Sequence, residues 1–211
     1  MIEKRRIIHA IIFPALFLLT MWVVFIVFKV LNIDMAILGI KPVSVSGLTG
    51  ILTSPFAHGG IKHITANSLS FAVLSILLFY FYRGVSYKVF FMNWLISGVL
   101  LWLGGRDSIH IGASGLIYGL AFFLIFSGFF RKEKKYRAIS LIVVFLYGGM
   151  FWGMLPQNGH ISWEGHLFGA VSGLFLAWYF KDFIPDKIII NKNNKDYSVT
   201  GDYNINYEYT E

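Results

Sequence analysis

Six long apolar stretches, parted by short polar or glycine-rich segments, dominate the chain: residues 7–28, 63–81, 89–103, 111–130, 138–155 and 165–180. About 20 apolar residues are needed to cross roughly 30 Å of hydrocarbon as a helix. The third and sixth stretches are shorter, so they extend into their flanks or have ends shielded by neighbouring helices. The pattern predicts an all-α membrane protein, a bundle of six transmembrane helices. Basic residues fix its orientation. Lys4, Arg5, Arg6, Arg83, Lys88, Arg131, Lys132, Lys134, Lys135, Arg137, Lys181, Lys187, Lys192 and Lys195 fall at the N-terminus, in the even-numbered loops or after the sixth stretch. Only Lys29, Lys41, Lys62 and Arg106 fall on the other side. Cytoplasmic loops carry the excess of Lys and Arg, so both termini are expected in the cytoplasm, the chain being a multi-pass protein of the cell membrane.

Composition agrees with that reading. The chain is 56% apolar and 14% charged, with 21 Phe and a mean hydropathy of +0.65. The net charge of +7 does not point to nucleic acid, because the cations flank apolar runs instead of forming a patch interleaved with aromatics. With no cysteine, a disulfide framework, a thiolate nucleophile and a Cys-based zinc site are excluded. The first apolar run follows a basic cluster as in a secretory signal, but it is too long and lacks a small-residue cleavage site; it reads as a retained helix. Residues 1–183 are expected to form one membrane domain. Residues 184–211, rich in Asn, Lys and Tyr, read as a polar, mobile cytoplasmic tail, with no motif to support strand pairing around residues 197–209.

Polar groups inside membrane spans are costly and concentrate where they have a role. Five of six histidines, His58, His63, His110, His160 and His166, lie at outer ends of spans or in outer loops. Spans two, four and six run in the same direction, so their N-terminal turns share a depth. His63 and Asn67 open span two; Gly112, Ser114, Gly115 and Tyr118 open span four; His166, Gly169 and Gly173 open span six. Residues three or four apart share a helix face, which pairs His63 with Asn67 and Ser114 with Tyr118. Small residues at that spacing allow helix backbones to approach closely in lipid. Packing of spans four and six along Gly115, Gly119, Gly169 and Gly173 would bring Ser114 to His166.

A serine hydroxyl becomes a strong nucleophile when a base within about 3 Å takes its proton. His166 is the candidate base. The oxyanion formed on attack needs donors already aimed at it, and the Asn67 amide, the His63 ring and the Ser114 backbone N–H are candidates. Asp107 and Glu164 are read as loop residues without the marks of a buried orienting acid. A Ser/His dyad is therefore expected, with Tyr118 stacked on the His166 ring in place of an acid. Gly148, Gly149 and Gly153 are read as packing or bending residues of span five. Each feature alone has a plainer reading: a serine between glycines is commonly a packing residue, and an interfacial histidine commonly only that. Their convergence at one depth on three parallel spans favours chemistry.

These residues resemble the rhomboid family of intramembrane serine proteases. The resemblance rests on the Gly-x-Ser-Gly segment 112–115 opening span four, the His63-xxx-Asn67 pair opening span two, and His166 followed by Gly169 and Gly173 in span six. It covers roughly residues 56–180. It implies Ser114 as nucleophile, His166 as base, His63 and Asn67 as oxyanion-hole side chains, Tyr118 packed on the catalytic ring, and His58 as a structural histidine. The first outer loop, residues 32–60, is short and lacks the Trp-Arg pair of many members. The implied reaction is hydrolysis of transmembrane protein substrates through an acyl-enzyme, without cofactor or metal, in a site open to the non-cytoplasmic side.

Three rivals remain at this point. A catalytically inactive rhomboid-like protein would bind membrane helices without cutting them. A metal-dependent hydrolase would need a ligand cluster that the His spacing does not supply. A transporter would need ionisable groups at midplane or a repeated pair of broken helices, and neither is evident.

Overall fold

The computed structural model describes residues 2–156, 161–183, 187–190 and 197–200. Its long helices are α1 (Ile2–Val30), α3 (Ile61–Phe81), α4 (Ser86–Gly104), α5 (Ser114–Phe130), α6 (Lys134–Tyr147) and α7 (Trp163–Tyr179), with a single-turn helix α2 (Gly50–Thr53) in the first loop. Among the described residues, four segments are long and apolar enough to cross a bilayer: Lys4–Val30, Ile61–Phe81, Ser86–Gly104 and Lys134–Met154. Helix α5 is apolar but, at 17 residues, spans roughly 25 Å at about 1.5 Å per residue. Ten of its 17 residues are buried. A central helix needs no lipid-matched length, because its neighbours shield its ends.

Two kinds of packing hold the bundle. On one side, Phe13 and Phe17 of α1, Phe71 and Phe79 of α3, and Phe90 of α4 form an aromatic core in which Phe17 stacks on Phe71 at 4.7 Å and meets Phe90 edge-on at 5.4 Å. On the other, α5 meets α7 through glycine. A Cβ on Gly169 would strike the backbone of Gly115, and one on Gly173 the backbone of Gly119. Any side chain there would force the helices apart. Buried polar groups tie the helices together. Asn93 of α4 donates to the Leu116 carbonyl at 2.9 Å, and Ser140 of α6 to Ile125 at 2.7 Å. Large apolar side chains such as Phe129 and Phe145 face outward at 80% and 88% exposure, the inside-out pattern that lipid as solvent allows.

Two features differ from the sequence reading, the start of α5 and the end of α6. Helix α5 begins at Ser114 and not at residue 111, because Gly112 holds φ +112, a left-handed conformation that excludes it from a right-handed helix. The fifth apolar stretch is α-helical only to Tyr147 and continues as a 3-10 helix, Gly148–Met154. The first outer loop is folded: Trp94 and Trp102 of α4 donate their indole N–H to the carbonyls of Ile51 and Ser44, both at 2.9 Å. Most of the segment read as a polar tail lies outside the described residues. Within it, Lys187–Ile190 (β1) and Tyr197–Thr200 (β2) pair antiparallel, Lys187 opposite Thr200, where β-branched residues favour strands.

Candidate active site

Helices α3, α5 and α7 deliver the predicted polar residues to one place. At the seam, Gly115 faces Gly165, so close that a Cβ on the first would lie 3.1 Å from the carbonyl of the second. Ser114 and His166 are the sequence neighbours of those two glycines and flank this crossing. The Tyr118 ring, one turn below Ser114, stacks on the His166 ring with centroids 4.2 Å apart and planes within 5°. Ser114, His63 and His166 are all partly exposed.

The protonation of His166 follows from its partner. Its Nδ1 lies 2.8 Å from the carbonyl of Gly153, and a carbonyl oxygen only accepts. Nδ1 therefore carries the proton, and the neutral ring leaves the lone pair of Nε2 free to act as a base. The Tyr118 hydroxyl donates to the Met150 carbonyl at 2.9 Å, which fixes the ring that covers His166. Both acceptors come from the 3-10 segment Gly148–Met154. Sequence reasoning missed them because backbone carbonyls have no letter; the glycine cluster at 148, 149 and 153 was the available signal.

Opposite, His63 and Asn67 border Gly112. A Cβ at Gly112 would stand 2.7 Å from His63 Nε2 and 3.4 Å from Asn67 Nδ2. Only glycine combines that close approach with φ +112. Asn67, largely buried, donates one amide N–H to His58 Nε2 at 3.0 Å, while His58 Nδ1 faces the Phe56 carbonyl at 3.4 Å. Burial, reinforced by the neighbouring His63 and opposed by the Phe56 carbonyl, holds the His58 pKa down at about 4. The ring is thus neutral at physiological pH, as its acceptor role requires. In α5 the first intrahelical bond runs from Ile117 N–H to Ala113 O, and Ala113 provides no side-chain cap. The N–H groups of Ser114, Gly115 and Leu116 are left for a ligand, at the positive end of the helix dipole. A cavity of about 30 Å³ borders Ser114 and is lined by Ser54, Ser97, His110 and Ser162 among others, room for a water molecule with polar partners.

Two acids are accounted for. Asp107 is exposed. Glu164 corrects the sequence reading: it lies in the first turn of α7, not in a loop, and is only 3% exposed. Its carboxylate is 3.4 Å from Arg106 Nε, whereas the Nδ1 position of His166 is taken by Gly153. His160 lies outside the described residues.

A family model described as Rhomboid domain matches residues 45–183. An uncharacterized protein of Mycobacterium tuberculosis is 40% identical over 152 residues, covering 66% of this chain and 62% of the relative. A second uncharacterized protein, from Mycobacterium leprae, is 36% identical over 152 residues, covering 66% and 59%. RHOMBOID-like protein 1 of Arabidopsis thaliana is 28% identical over 134 residues, covering 62% and 34%. The chain thus spans about six-tenths of the length of the mycobacterial relatives it matches.

Proposed function

The chain belongs to the rhomboid family, and from that premise we propose that it is an intramembrane serine endopeptidase, cutting transmembrane protein substrates with Ser114 as nucleophile and His166 as base. The observation that carries this reading is the pairing of the α5–α7 glycine seam with the Nδ1 hydrogen bond of His166 to Gly153. The first brings the helix turns that carry Ser114 and His166 into backbone contact. The second directs the free lone pair of the imidazole away from Gly153 and gives the ring the orienting partner that an acid provides in a triad.

In the proposed reaction Ser114 Oγ attacks the scissile carbonyl carbon as its proton passes to His166 Nε2. The negative oxygen of the tetrahedral intermediate is met by the Asn67 amide, the His63 ring and the uncapped N–H groups at the start of α5. Collapse breaks the C–N bond, His166 returns its proton to the departing amine, and an acyl-enzyme on Ser114 remains. A water, supplied through the polar cavity beside Ser114, attacks the ester while His166 again takes a proton, releasing the acid and restoring Ser114. All six long helices then serve as spans, with the termini cytoplasmic and the site facing the outer side of the cell membrane. That topology is supported by the basic residues of the even-numbered loops. The substrate must present extended backbone, because a peptide bond inside a helix is hydrogen-bonded and shielded.

A rhomboid-like binder that holds membrane helices without cutting them is the alternative. A fluorophosphonate probe tests between them: covalent labelling of purified protein, lost in Ser114→Ala, is expected of the protease, and a protein that is never labelled would be the binder. Cleavage that a chelator abolishes would instead support a metal-dependent mechanism.

A further inference from the structure

Resting on the reading above, we propose that Arg106, His110 and Glu164 are positioning residues for the reaction, a polar latch that fixes the loop carrying the nucleophile to the first turn of the helix carrying the base. The loop between α4 and α5, residues 105–113, leads directly into Ser114. Three contacts run from it to the start of α7. Arg106 Nη2 donates to the Ile161 carbonyl at 2.8 Å. Arg106 Nε lies 3.4 Å from the buried Glu164 carboxylate. His110, itself 2% exposed, lies 2.6 Å from Ser162 Oγ through Nδ1 and 3.2 Å from the Arg106 carbonyl through Nε2.

The directions of these bonds are determined. The Arg106 carbonyl only accepts, so His110 Nε2 carries the proton and Nδ1 accepts from the Ser162 hydroxyl. Ser162 Oγ in turn accepts from Gly165 N–H at 3.3 Å, capping α7. One chain of hydrogen bonds therefore passes from the loop, through His110 and Ser162, to the backbone one residue before His166. Arg106 grips the same turn from its other side with a planar fork that a lysine cannot reproduce.

The latch addresses what the glycine seam leaves open. Glycines let α5 and α7 touch, but a smooth contact between small residues resists sliding along the helix axis poorly. Ser114 stands at the very end of α5, joined through Ala113 and Gly112 to the loop. A shift of the loop against α7 would separate Oγ from Nε2 without unpacking the bundle. A displacement near 1 Å is enough to cost about 10²-fold in rate.

Glu164 lies two residues from His166, about 200° around the helix, on a different face of α7 from the ring, and meets the loop through Arg106. Glu164 is buried but Arg106 is 38% exposed, and a carboxylate taken out of water to face one solvated guanidinium gains little stability from the pair alone. Its position, joining the two segments that must stay in register, gives it a role that packing would not.

The test uses the full chain in detergent or bilayers, with a small fluorophosphonate probe and a transmembrane substrate side by side. Arg106→Lys keeps the charge and loses the fork; it should slow labelling of Ser114 and lower kcat by about tenfold while leaving KM within twofold. Because Arg106→Ala strands a buried carboxylate and can fail to fold, the neutral pair R106Q/E164Q is the second variant. It should fold with a wild-type melting profile and still show the labelling defect. Wild-type labelling rates and kcat in both folded variants would overturn the latch, as would a defect confined to KM. Failure of the underlying protease reading has a different signature: the unmodified chain itself would neither label nor cleave.

Discussion

The His166 imidazole is held between two regions built in opposite ways. On the α5 side, α7 packs glycine to glycine, with no side chain free to yield. On the other side stands the 3-10 segment Gly148–Met154, whose Phe151 and Trp152 are 55% and 67% exposed; it packs Met150 and Met154 on Tyr118 and Ala170 and bonds the site through two carbonyls. The first region holds the turns of Ser114 and His166 together and is part of the central seam of the fold. The second orients a ring from a more exposed edge. The difference teaches that stability and catalysis should separate on opposite faces of one histidine.

A single added methyl group tests this most sharply. In Gly169→Ala the new Cβ meets the Gly115 backbone, which can yield only if a helix moves. Activity should disappear, and stability should drop by about 1–3 kcal/mol, read as a lowered melting temperature. Asn67→Ala comes next: if its amide stabilises the oxyanion, kcat should fall by about 10²- to 10³-fold with the melting profile nearly unchanged. In Gly153→Ala the new methyl meets the Tyr118 hydroxyl and lies 3.3 Å from His166 Nδ1. The Tyr118 ring is held by its bond to Met150, so it must tilt or the 3-10 segment must move; kcat should fall about tenfold, with a smaller loss of stability than in the 169 variant. Equal melting temperatures for the 169 and 153 variants would break the contrast.

How much of this was legible beforehand follows the same division. The seam could be read because it is made of side-chain choices: Gly115, Gly119, Gly169 and Gly173 at helical spacing, with Ser114, Tyr118 and His166 beside them. His63 and Asn67 were readable for the same reason, four apart on one face. The 3-10 segment was not, since its contribution is the carbonyls of Met150 and Gly153, which any residue would carry. The start of α5 was misplaced because apolar character continues through Ile111 while the break is one dihedral at Gly112. Glu164 reads as a loop acid because α7 begins at Trp163, two residues before the apolar run, and its partner Arg106 comes from a loop 58 positions earlier in the chain.

A pH-dependent effect, read on stability and not on kcat, probes the Asn67–His58 pair. The His58 pKa is lowered in the fold to about 4 from the usual 6.5, so the unfolded chain binds more protons between those values. Stability contributed by the neutral ring is complete above about pH 6.5 and is lost as pH falls toward 4, by up to about 3 kcal/mol. Protonation also turns Nε2 into a donor and releases the Asn67 amide. Melting temperatures between pH 7 and 4 should fall for the natural chain, and less steeply for His58→Gln. Parallel curves would remove His58 from the account.

Whether Ser114 and His166 act as one pair is decided by fluorophosphonate labelling followed by peptide mapping. A single adduct on Ser114 is expected, absent from His166→Ala at equal folding. An adduct on another serine, or undiminished labelling of Ser114 without the imidazole, would contradict that pairing.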